Sequence, residues 1–115
     1  MTARRVALVA LAVPAALALV FATPAPAAAE DAAKIFAKSC APCHGKEGEP
    51  SAIFAKQVVR SFKDAAWQKA ATDAQIEKSL REGKKGTMMA SFDKQFSAEE
   101  MKGLVAYIRA LGAGK

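Results

Sequence analysis

Cys40-Ala41-Pro42-Cys43-His44 holds both cysteines and the single histidine of the 115-residue chain. The spacing Cys-x-x-Cys-His is that of covalent attachment to a c-type haem. Each thiol adds to one vinyl group on the porphyrin edge, giving two thioethers, and two intervening residues let the sulfurs span that edge. The next residue is carried beneath the ring, where the His44 imidazole is placed to bind the iron axially. Competing readings must use the same three residues. A structural zinc site takes four Cys or His ligands, and the chain supplies three. A thioredoxin-like pair needs no histidine here and belongs near a βαβ pattern, which is missing. A plain disulfide leaves His44 unexplained.

The N-terminus points to a compartment. Arg4 and Arg5 form a positive start, Val6 to Phe21 carries no charge and is broken once by Pro14, and Thr23-Pro24-Ala25-Pro26 follows. Ala27-Ala28-Ala29 presents small residues at the positions a signal peptidase reads, before the polar Glu30-Asp31. This is the layout of a secretory signal peptide, with cleavage expected near Ala29. The alternative is an uncleaved anchor, for which the apolar run is short against the ~18–20 residues of a spanning helix. The expected organisation is therefore a leader over 1–29 and one domain over 30–115, with no membrane span left after cleavage. Removing the leader takes away two arginines and no acid, leaving 15 basic and 11 acidic residues, a net charge of +4. A domain this small buries a modest core, and a covalently held porphyrin would act as its staple.

The expected domain is all-α, with three to five helices. No alternating strand pattern or internal repeat is present. Asp31 is positioned to cap a helix through about Cys40, with Ala32, Ile35, Phe36 and Ser39 on one face. Gly45, Gly48 and Pro50 mark a loop. A short helix is expected over about 53–59. Thr72-x-x-Gln75 and Ser97-x-x-Glu100 are capping boxes. The first opens a helix to about Glu82, ended by Gly83 and Gly86. The second opens a helix with Met101, Leu104, Val105, Ile108 and Leu111 inside and Lys102 and Arg109 outside, stopped by Gly112 and Gly114. The first and last helices are expected to pack on each other.

A second axial ligand must come from outside the motif. The candidates are methionine, lysine, the processed N-terminal amine, or an open site holding water. Met101 falls on the interior stripe of the last helix and reads as core filler. Met88 and Met89 fall in Gly86-Thr87-Met88-Met89-Ala90-Ser91-Phe92, a loop between two capped helices, from which a thioether could reach the iron. Trp67 is a further candidate for haem contact or for plain core packing.

The order Cys-x-x-Cys-His, helix, methionine loop and terminal helix with Tyr107 resembles class I c-type cytochromes across essentially the whole of residues 30–115. The resemblance implies a small cytochrome c-like fold around one covalent haem. In small bacterial members the ligand loop often reads Met-Pro-x-Phe. Met89-Ala90-Ser91-Phe92 matches with Ala for Pro, so the resemblance assigns Met89 as the axial ligand, with Met88 the alternative. Leu104-Val105-Ala106-Tyr107-Ile108-Arg109 is similar to the family's last helix. The resemblance also implies haem attachment outside the cytoplasm, in agreement with the leader.

The implied function is one-electron transfer between Fe(III) and Fe(II) by a soluble, extracytoplasmic (periplasmic) carrier rather than an enzyme. Thioether ligation favours Fe(II) and raises the potential relative to two histidines. The alternatives are an open-site haem sensor or enzyme with displaced methionine, and a thiol–disulfide protein without haem. Lys46, Lys84, Lys85 and Lys94 could ring the haem edge and attract an acidic redox partner, although Glu47, Glu49, Glu82 and Asp93 interleave with them. The small charge excess and the absence of a recognition motif argue against nucleic acid. A monomer is expected.

Overall fold

The computed structural model describes residues 10–13, 15, 26–57 and 59–114, and among these it contains helices and no strand. Arg4, Arg5 and most of the apolar run that follows lie outside the described residues. Helix α1 spans Pro26–Ile35, a π-helical turn spans Phe36–Cys40, and α2 spans Ala41–His44. The three run on as one continuous helix. Four more follow: α3 (Ala52–Lys56), α4 (Ala65–Ala70), α5 (Asp73–Glu82) and α6 (Ala98–Gly112). Among the described residues no helix is long and apolar enough to cross a membrane.

The first helix differs from expectation at both ends. Asp31 lies inside it rather than capping it, because the helix begins at Pro26. Proline presets the helical φ at a first position, and Ala27 to Ala29 have high helix propensity. At the other end the helix passes Cys40 and continues to His44. Pro42 should interrupt it, since it lacks an N–H. The π turn resolves this. The Ala41 N–H bonds to the Phe36 carbonyl, five residues back, and Pro42 falls in the first turn of the restarted α-helix, where its missing donor is tolerated.

Both capping boxes form reciprocally, Thr72 with Gln75 and Ser97 with Glu100. α3 is shorter than the expected 53–59 stretch. α4 was not anticipated; the Asp64 carboxylate caps it, accepting from the N–H groups of Ala66 and Trp67. Gly83 ends α5 at φ 70° as expected. The last helix stops at Gly112, as expected, with Ala113 as its C-cap.

α1 packs chiefly against α6, and α5 and α4 pack on α6 as well. The core joins Phe36 and Cys40 from the first helix, Phe62 from the segment before α4, Ile76 and Leu80 from α5, and Met101, Leu104, Val105, Ile108 and Leu111 from α6. Met101 and Leu104 are wholly buried, as the stripe predicts. Tyr107 packs its ring on Phe36, centroids 5.0 Å apart.

Candidate haem-attachment site

The helical continuation to His44 arranges the motif. Cys40, Cys43 and His44 stand at i, i+3 and i+4, and such positions share one helix face. Cys40 is buried, Cys43 is half-buried, and both are free thiols. Burial, and secondarily the neighbouring Cys43, pushes the Cys40 thiol up to about 11, so it is a neutral thiol at pH 7. The loop after His44 leaves the helix sharply: Gly45 has φ 78°, and a Cβ there would run into the Glu49 carbonyl.

Phe62, from the segment before α4, covers one face of His44. The Phe62 ring stacks on the imidazole with centroids 4.6 Å apart and planes 16° apart. Burial pushes the imidazole below its ordinary range, with the Arg60 backbone pulling the other way. Among the described residues the buried Nδ1 nevertheless has no acceptor or donor in hydrogen-bond geometry. Trp67 is half-buried and packs on Phe62, ring centroids 5.3 Å apart.

The methionine loop is tied to the end of α5. The Met89 carbonyl accepts from the Lys84 N–H at 3.0 Å, and the Phe92 N–H donates to the Leu80 carbonyl at 2.9 Å. The Ser91 hydroxyl donates to the Arg81 carbonyl. Arg81 itself bridges Glu77 and Asp93, at 2.8 and 3.1 Å. Gly83 permits the closure: a Cβ would lie 2.6 Å from the Met89 carbonyl oxygen. Within this loop the two methionines differ. Met89 packs partly buried against the core, whereas Met88 is 74% exposed.

The chemistry of the donor set fits haem. Two thiols and one imidazole share a face, and the aromatic ring of Phe62 stacks on the imidazole. Among the described residues no group of three or more His, Cys, Asp or Glu is placed to hold a metal ion.

Residues 27–108 match the family described as cytochrome c oxidase, cbb3-type, subunit III. The chain belongs to this c-type cytochrome family. It is a class I monohaem cytochrome domain, with the all-α fold of that class. It is 34% identical over 82 residues to cytochrome c-553 of Helicobacter pylori, covering 68% of this chain and 76% of the relative. It is 31% identical over 88 residues to the cbb3-type cytochrome c oxidase subunit FixP of Azorhizobium caulinodans. That match covers 76% of this chain, which spans 29% of the FixP length. Among solved structures it is similar to the KustC0563 c-type cytochrome, with a TM-score of 0.65 and 33% identity over 70% of this chain and 96% of the other. A point mutant of that same cytochrome matches at a TM-score of 0.64 and 34% identity, over 70% of this chain and 98% of the other. Membership of the family implies a covalent haem c, and the cytochrome's Cys40/Cys43 spacing is consistent with it.

Sequence reasoning missed one group beside the site. Arg109, expected to point outward, has a side chain only 27% exposed and pairs with Asp73 at 2.7 Å. It also donates to the Gln68 side-chain oxygen at 2.9 Å and to the Gln68 and Ala71 carbonyls. Those carbonyls belong to the end of α4, which Arg109 thereby caps. A basic residue spaced to reach a neighbouring helix end was the available signal, but it needed α4 to be recognised first.

Proposed function

We propose that this cytochrome domain is an extracytoplasmic one-electron carrier, with haem thioether-linked at Cys40 and Cys43 and held axially by His44 and Met89. When bound, the haem supplies the Fe(III)/Fe(II) couple. Cys40 and Cys43 would fix its edge to the helix. His44 offers an imidazole stacked against the Phe62 ring. Met89 offers a soft thioether from a loop whose backbone is already bonded to α5. Two strong axial ligands leave no position for a substrate, which favours transfer of an electron over catalysis.

The observation that carries this reading is the contrast within the methionine pair. Met89 is drawn against the core while its neighbour is exposed, in a loop pinned at 84, 91 and 92. The leader-like residues 1–29 support export, and coverage of most of cytochrome c-553 supports a free carrier over an oxidase subunit. Exposed Lys46, Lys84, Lys85 and Lys94 suit an acidic redox partner.

Purified holoprotein tests the ligand set. Oxidised wild type should be low-spin and show the weak far-red band of thioether-to-iron ligation. Met89→Ala should lose that band and turn high-spin, while Met88→Ala keeps both features. The opposite pattern would move the ligand to Met88, and a high-spin wild type would favour the open-site alternative.

A further inference from the structure

Phe62, which stacks on His44, is held by both of its backbone polar groups. Its N–H donates to the Gly48 carbonyl at 2.8 Å, in the loop that leaves the attachment motif. Its carbonyl accepts from Gln68 Nε2 at 2.7 Å. Gly48 has φ 80°, and a Cβ there would press on Phe62 Cβ at 3.1 Å, so this side of the segment is closely fitted.

The Gln68 amide is committed at every end. Nε2 donates a second bond, to the Ile108 carbonyl of α6 at 3.0 Å. Oε1 accepts from Arg109 Nη1 at 2.9 Å. A guanidinium has donors and no acceptor, so it can face only the amide oxygen. Arg109 therefore selects one of the two amide orientations, the one that aims Nε2 at Phe62 and Ile108. Flipping the amide would set two N–H donors against the guanidinium and an oxygen against two carbonyls. Asp73 and the α4 carbonyls fix Arg109 in turn. The chain of contacts runs from α6, through Gln68 and the Phe62 backbone, to the imidazole face.

We propose that Gln68, oriented by Arg109, is a positioning residue for the axial imidazole, holding Phe62 against His44 and so fixing the plane of the His44 ring. The proposal rests on His44 being an iron ligand, as argued above. Its consequence is electronic rather than only structural. The orientation of an axial imidazole sets the anisotropy of a low-spin ferric centre, which both electron paramagnetic resonance and the paramagnetic shifts of the haem methyls report. Loss of segment 60–64 would also admit water to the imidazole and shift the midpoint potential.

The test uses exported holoprotein and compares wild type with Gln68→Met and Ser97→Ala. Gln68→Met keeps the side chain's length and removes its bonds. Ser97→Ala removes the cap of α6 and touches none of the contacts that run through Gln68. Gln68→Met should change the g-anisotropy and redistribute the haem-methyl shifts with both axial ligands retained, and shift the midpoint potential. Ser97→Ala should leave all three at wild-type values, whatever it does to thermal stability. Where Gln68→Met does not accumulate, Arg109→Lys serves, since a single ammonium cannot reach all of Arg109's acceptors and frees the amide to turn. Gln68→Met, or Arg109→Lys in its place, with wild-type spectra and potential would overturn the positioning role. Wild type without haem, or with His44 unligated, would overturn the functional reading together with it.

Discussion

At Gly112 a side chain is excluded by a neighbour and not by the backbone. A Cβ there would run into Gln68, which crosses α6 to reach Phe62 and Ile108. Gly112→Ala should therefore shift Gln68 and lower stability by about 1–3 kcal/mol, the usual range for forcing atoms into a fitted contact. Urea unfolding of the holoprotein measures it. Gly83 is constrained differently, by φ 70° together with the Met89 carbonyl beneath it. Gly83→Ala should loosen the methionine loop, and it is expected to weaken the far-red thioether band before it unfolds the protein. Residue types that carry chemistry by themselves were legible in the sequence: Cys40, Cys43 and His44 leave few other uses for their spacing. Arg109 was misread as a solvent-facing charge. Its role, like the close fit at Gly112, depends on Gln68, which approaches from a distant part of the chain.

Among the elements, the two helices opened by capping boxes formed where expected. Thr72 and Ser97 each receive an N–H from the third helical residue, and the side chains of Gln75 and Glu100 accept the cap residue's own N–H in return. Ser97→Ala should cost about 1 kcal/mol, as loss of an N-cap generally does, and thermal unfolding of the holoprotein reads it. The cap signal failed at Asp31, because a residue able to cap is also tolerated within a helix, and the alanines before it extend the helix backwards. It was overlooked at Asp64, where the helix has only one turn and a half to display a pattern. The π turn had no sequence signature of its own. It arises because Pro42 must follow a buried Cys40 without losing the helix, and that demand appears only when the motif is built on a helix. It lets both thiols and the imidazole share one face.

For the whole molecule, a few helices enclose a core of Phe36, Phe62, Met101, Leu104 and their neighbours. A domain of this size has little apolar surface to bury, and covalent haem would complete the core. Apoprotein, made by replacing Cys40 and Cys43 with Ala, should be largely unfolded. Circular dichroism that showed cooperative, native-like helix in that variant would count against the staple. The exposed lysines make a separate expectation at this scale. The rate of electron exchange with an acidic partner should fall as salt is raised across the range where the Debye length shrinks below about 10 Å. The sequence by itself determined the chemistry and the class of fold, because covalent attachment needs a fixed local spacing and helix caps and stripes are short-range patterns. Only the tertiary structure decided which methionine lies against the core, how the motif continues its helix, and what backs the imidazole. Those outcomes turn on residues far apart in the chain meeting in a closely packed interior, where room for one side chain is set by the others.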